Sequence, residues 1–201
     1  MLLDKRTYPA PIDFFVYSRA TLSAASVEHD PGLDEEHWSY MDRFADRMTA
    51  RGPTLGTDRE TWTGSLHIVD LPSADAARQF VEHEPYNRAG LFERHVIRRF
   101  KNLLGRTMWE FRGGAADPRF LVIAHLRAAA SEHAGRADLT ALPREDIIVH
   151  GELLAPDDAT PAGLVVALQA PRREAVEAIG QAALDEHYDI EILDWEFGGR
   201  R

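Results

Sequence analysis

Short apolar runs alternate along this chain with polar connections rich in Gly and Pro, and their spacing predicts its elements. Phe14-Phe-Val-Tyr, aromatic and β-branched, reads as a first strand. A polar loop with Asp30-Pro-Gly leads to Asp34, an acceptable N-cap, and a helix from about Glu35 to Ala50. Trp38, Met41, Ala45 and Met48 fall on one face of that helix with Phe44 beside them, and Gly52 ends it. Strands follow near Pro53 to Gly56 and over Trp62 to Asp70. Leu71-Pro-Ser then caps a helix from about Ala74 to His83, Glu84-Pro-Tyr-Asn-Arg-Ala-Gly forms a short helical turn, and a closing strand lies near Arg94 to Phe100. The order β-α-β-β-α-β is ferredoxin-like.

The pattern then recurs. Shifting Gly52–Ala76 by 99 residues places it on Gly151–Ala175 without a gap, with seven of 25 positions identical: Gly52/Gly151, Leu55/Leu154, Asp58/Asp157, Thr61/Thr160, Gly64/Gly163, Pro72/Pro171 and Ala76/Ala175. Chance gives roughly one or two at average residue usage, so the segments read as an internal repeat. Phe120-Leu-Val-Ile-Ala matches Phe14-Phe-Val-Tyr-Ser as a first strand, a helix runs from about Glu174 to Leu184, and Tyr188 to Phe197 is a last strand. Arg112-Gly-Gly-Ala-Ala-Asp-Pro is the boundary between unit 1–112 and unit 118–201. Phe120–Ala124 and Leu164–Leu168 are continuously apolar, which predicts cover on both faces of their sheet. Helices cover one face; packing the open faces of two antiparallel sheets together inside one chain covers the other. Two separate units on a linker would instead expose a large apolar face.

Composition narrows the function. With 201 residues, 44% of them hydrophobic, the chain builds a core without staples, and the absence of cysteine excludes disulfides, thiolate metal sites and a cysteine nucleophile. Met1-Leu-Leu-Asp-Lys-Arg runs into Pro9 and Pro11 rather than an apolar segment, so neither a signal peptide nor a membrane span is expected, and the default location is cytoplasmic. A net charge of −10 spread over both halves argues against nucleic acid. Basic residues do cluster at Arg94, Arg98, Arg99 and Lys101, as either a solvated strand edge or an anion-binding corner of a pocket. The nine histidines show no ligand spacing, so no metal is expected. No Gly-x-Gly-x-x-Gly or phosphate loop is present, so no cofactor is expected.

Candidate chemistry gathers between Arg51 and Phe100. Gly52-Pro53, Thr63-Gly64-Ser65, Glu84-Pro85-Tyr86 with the following Ala89-Gly90, and Val96-Ile-Arg-Arg-Phe-Lys101 together resemble the YCII-related family of small α+β proteins, over about Asp13 to Leu104. The resemblance implies an α+β barrel, formed by family members as homodimers and here within one chain as a pseudo-dimer, with a further homodimer possible. It also implies a His–Asp pair using a histidine of the first helix upstream of Gly-Pro, a position that His37 matches. Where similar proteins have Asp-Pro-Tyr, this chain has Glu84, which keeps the carboxylate on an arm one methylene longer. Read from the residues alone, His37 is either a satisfied surface histidine or a base, its ring favoured neutral by the helix N-terminus and favoured charged by Asp34, Glu35 and Glu36. Asp58 and Asp70 are other acids that could reach it, and Glu84 is equally a helix-terminating acid.

Ser65, beside Gly64 on a strand, is either a packing residue or a hydroxyl that holds a substrate oxygen; it lacks a nucleophile elbow. Tyr86 and Arg19 add a hydroxyl and a cation to the same pocket, or lie on the surface. The second unit has no acid-Pro-Tyr after Gly180-Gln-Ala-Ala-Leu-Asp-Glu-His-Tyr, and its polar connection ahead of Gly151 offers only a short helix. Two functions follow. One is a cofactor-independent enzyme in which His37 and an acid move protons on a small cyclic or conjugated carbonyl compound, as an isomerase, dehydratase or dehydrohalogenase. The alternative is a non-catalytic module binding a small ligand or a protein through the same pocket.

Overall fold

The computed structural model describes residues 13–24, 30–114, 117–127, 143–157, 159–184 and 187–198. The short helix expected ahead of Gly151 lies outside those residues. Eight strands and four helices follow in the order β1 (Asp13–Ala20), α1 (Pro31–Asp42), β2 (Met48–Leu55), β3 (Trp62–Asp70), α2 (Ala74–Glu82), α3 (Pro85–Arg88), β4 (Phe92–Asn102), β5 (Arg119–Leu126), β6 (Ile147–Leu154), β7 (Pro161–Gln169), α4 (Arg173–Ala183) and β8 (Tyr188–Trp195). The strands close in the order β1-β3-β2-β8-β5-β7-β6-β4, every pair antiparallel.

The first helix differs from expectation at both ends. Its N-cap is Asp30, whose side chain accepts the Gly32 N–H at 2.9 Å, with Pro31 opening the first turn. The helix stops at Asp42, and residues expected in its last turn pair with β3 instead, Met48 opposite Val69 and Ala50 opposite Ile68. Met41 and Met48, both buried, satisfy a helical stripe and a helix-then-strand path alike; the strand wins because the chain from Met48 to Leu55 pairs with β3. Trp38, expected in the core, is 38% exposed.

Alternation along each strand sorts the apolar residues into three clusters. Phe15, Tyr17, Leu66, Ile68, Phe100, Leu121, Ile123, Leu153 and Trp195 point into the barrel. Phe14, Val16, Val69, Tyr40, Met41, Phe80 and Val81 pack between the outer face of β1 and β3 and the helices α1 and α2. Phe120, Val122, Leu164, Val166 and Val176 do the same beneath α4. The continuous apolar runs of β5 and β7 are thus covered on both faces. Tyr40 ties α1 to α2 by donating its hydroxyl to the Phe80 carbonyl at 2.9 Å, and burial pushes its phenol up to about 12.

Positions 99 residues apart share local geometry. Asp58 accepts the Thr61 N–H at 2.9 Å and its hydroxyl at 2.5 Å, and Asp157 does the same with Thr160 at 2.9 and 2.5 Å. A Cβ at Gly64 would sit 2.3 Å from the Ser18 carbonyl oxygen; at Gly163 it would sit 2.2 Å from that of Ala124. Both glycines let a first and a third strand approach where no side chain fits.

Candidate active site

The cleft lies on the outer face of β2 and β3. Leu66 and Ile68 of β3 fill the barrel, so Ser65 and His67 between them face the helices, as do Arg51 and Pro53 of β2. Asp34, His37, Trp38 and Met41 of α1, with Tyr86 of α3, form the opposite wall; Trp62 and Gly198 complete a pocket of about 220 Å³.

His37 Nδ1 is 2.6 Å from Glu84 Oε1, and their side chains are only 12% and 5% exposed. Glu84 is held by its other oxygen, which accepts the Asn87 N–H at 2.7 Å as the N-cap of α3. It therefore opens α3 and meets His37 at once, with a separate oxygen for each. Asp58 is occupied in its turn with Glu60 and Thr61, and Asp70 sits opposite Asp13 at the far end of β3, so neither is the partner. With Nδ1 facing the carboxylate, the tautomer carrying Nδ1–H is favoured and Nε2 is the basic nitrogen. Among the described residues Nε2 has no hydrogen-bond partner.

The ring of His37 is set by stacking. Tyr86 lies parallel to it, 4.2 Å between centroids and 8° between planes, and Trp62 meets Tyr86 in an edge contact at 5.7 Å. The Tyr86 hydroxyl, expected to face substrate, donates instead to Asp34 Oδ1 at 2.6 Å. Burial and the Asp34 and Glu84 carboxylates push its pKa upward, so the phenol stays a donor. Asp34, expected to cap α1, serves this bond. His37 itself lies in the second turn of α1, away from the helix N-terminus.

Ser65 is buried and lines the cleft. Arg19 does not: it pairs with Glu191 at one mouth of the barrel. The cation of this cleft is Arg51, 4% exposed, with Nη1 3.7 Å from Asp42 Oδ1. Sequence reading missed it by placing it just past a helix end, although its position directly before Gly52-Pro53 was a usable signal. His67 was also missed. Its ring is 6.1 Å from that of His37, and burial, then the charges of His37 and Arg51, hold its pKa well below the ordinary value. His95, bridging Ser18 Oγ and Asn87 Oδ1 at 2.9 Å each, braces the turn that carries Glu84. Among the described residues no group of His, Asp or Glu is placed to hold a metal ion, and no helix is long and apolar enough to cross a membrane.

An all-antiparallel α+β barrel with a histidine–carboxylate pair on its outer face defines the class. Residues 14–101 match the model of the YCII-related domain. Among solved structures, 5-chloro-2-hydroxyhydroquinone dehydrochlorinase from Burkholderia phenoliruptrix, determined with 2,5-dihydroxybenzoquinone, is 28% identical over 47% of this chain and 98% of its own, with a TM-score of 0.41. An anthrone oxidase-like protein is similar over 94% of this chain and 92% of its own, at 12% identity and a TM-score of 0.52, a likeness of fold. No curated protein matches the chain.

Proposed function

We propose that the protein is a cofactor-independent enzyme that moves a proton on a small cyclic or conjugated carbonyl compound. The observation that carries this reading is the 2.6 Å contact between His37 and Glu84, both nearly buried, at the wall of a cleft of about 220 Å³. Nε2 of His37 takes a proton from the carbon next to the carbonyl, and Glu84 stabilises the imidazolium that forms. The oxygen that gains negative charge lies toward the sheet floor, where the Arg51 guanidinium and the Ser65 hydroxyl supply donors. Return of the proton to another carbon gives an isomerase; departure of water or halide from the neighbouring carbon gives a dehydratase or dehydrohalogenase. Tyr86 positions the base by stacking and Asp34 fixes Tyr86.

Residues 118–201, in this proposal, are a degenerate second unit that completes an intrachain pseudo-dimeric barrel. The Asp-Thr turns and the close-approach glycines repeated at a spacing of 99 support it, as does Gly198 in the cleft wall. A chain ending at Gly113 that stayed monomeric and cooperatively folded would count against it.

The function is tested by solvent deuterium exchange at the carbon next to the carbonyl, followed by proton NMR over a panel of small phenolic and keto acids and cyclic enones. Wild-type protein catalyses exchange on one class, and His37→Ala lowers that rate by about 10²–10⁴, the range for loss of a general base. Equal exchange by both proteins overturns the reading. Saturable binding with no exchange by either identifies the non-catalytic module.

A further inference from the structure

We infer that the mouth of the barrel holds a second site, separate from the His37 cleft, that takes a small carboxylate against Arg94 and His125. Four strands from opposite walls meet there: β1 and β4 supply Tyr17, Arg19, Arg94 and Val96, and β5 and β8 supply His125 and Glu191, around a cavity of about 90 Å³. Tyr17 and Val96 belong to the barrel's apolar core or pack on it, so the cavity has an apolar floor beneath a charged rim.

The charge pattern is what calls for a ligand. Arg19 and Arg94 stand directly opposite each other on β1 and β4, and like charges in that relation oppose strand pairing. Glu191 answers one of them, as the partner of Arg19. Among the described residues Arg94 has no acid partner, and Arg98, four residues on along the same face of β4, adds a second positive charge whose field reaches His125. The rim is therefore net positive in a chain whose net charge is −10. Planar guanidinium groups favour a carboxylate, which accepts two parallel bonds, and 90 Å³ admits only a small acid.

His125 reports on occupancy. Burial is the main cause that holds its pKa below the ordinary value; Arg94 and Arg98 from β4 push the same way, while Glu191 and Asp189 from β8 push back. An anion seated between Arg94 and His125 cancels part of the arginine field and removes the repulsion, so the ring takes up its proton at higher pH. Binding tightens as pH falls toward the ordinary histidine range.

The probe is sodium acetate, titrated against sodium chloride at constant ionic strength, with the His125 ring followed by NMR and assigned through His125→Gln. The expected result is a saturable acetate-specific shift with an upward move of the His125 titration, weakened at least about tenfold in Arg94→Gln, the worth of one charge-assisted hydrogen bond. Arg94 is exposed, so the variant leaves the fold intact; urea melting checks this. An identical response to chloride, a shift that never saturates, or full acetate affinity in a folded Arg94→Gln overturns the site. Arg51→Gln, which alters the other cleft, leaves the acetate response unchanged; its loss there assigns acetate to the His37 cleft and overturns the inference as well.

Discussion

Glu84 does two things with two oxygens, and shortening or removing its arm separates them. Glu84→Ala loses the cap on α3, about 1 kcal/mol, and the charged hydrogen bond to His37, about 1.5–3 kcal/mol. The sum is about 3 kcal/mol, moderated by water reaching a ring that is 12% exposed. Glu84→Asp behaves differently. Aspartate is a good N-cap, so the bond to the Asn87 N–H persists, but the oxygen that lies 2.6 Å from His37 withdraws by about one C–C bond, roughly 1.5 Å, beyond hydrogen-bonding range. Stability should fall by about 1–2 kcal/mol, and His37 should lose its preference for the Nδ1–H tautomer in both variants. Urea denaturation gives the first quantity and ¹⁵N shifts of the His37 ring give the second. Equal losses for Ala and Asp would mean that the cap accounts for nothing. Unchanged ring shifts in both would refute the claim that Glu84 sets the base.

Two further expectations rest on burial and close approach. Unfolded His67 takes up a proton as pH falls through about 6.5, while the folded ring, its pKa held far lower by burial, stays neutral. The unfolded state then binds more protons, so stability is full above 6.5 and falls below it by up to about 1.4 kcal/mol per pH unit. His95, His125 and His150, also lowered, add to the same slope. His67→Gln should flatten the decline between pH 6.5 and 5, measured by denaturation at each pH, and an unchanged slope would contradict this assignment. Gly64→Ala should destabilise by about 1–3 kcal/mol or more, because its Cβ meets the Ser18 carbonyl at 2.3 Å, whereas Gly180→Ala in α4, with open space around it, should stabilise by about 0.5–1 kcal/mol. Calorimetry that ranks the two the other way would contradict the packing described.

Much of this was legible in the chain because the signals were local. The aromatic and β-branched runs of β1 and β3, the Ser73 cap of α2 and the Glu84-Pro-Tyr turn fix their own conformations within a few residues. The contact between His37 and Glu84 was expected only through resemblance, since 47 residues separate them and no local rule joins them. The end of α1 was misplaced because Met41, Ala45 and Met48 fit a helical period, and only the pairing of β2 with β3 shows that Met48 belongs to a strand. Arg51 and His67 were hidden for the same reason: their roles come from which face of the sheet they occupy, and that depends on a register set by distant residues. Arg19, near the site in sequence logic, points into the barrel because alternation along β1 carries it to the face opposite Ser18.

The two places where the barrel closes are not alike. Between β4 and β6 the ladder runs from Arg99 opposite Leu154 to Asn102 opposite Gly151, whereas between β2 and β8 it is confined to Thr54 opposite Trp195 and Leu55 opposite Asp194, extended by the Glu196 and Gly198 amides bonding to Pro53 and Arg51. The shorter seam is the side of the molecule that carries Arg51, Gly52, Pro53 and Gly198, all of them cleft wall. Any opening of the barrel is expected first at the back of the cleft, where few ladder bonds need to break. Ligand bound there would bridge the parting edges and act as a clasp, so that slower exchange of the Glu196 and Gly198 amides becomes a gauge of occupancy.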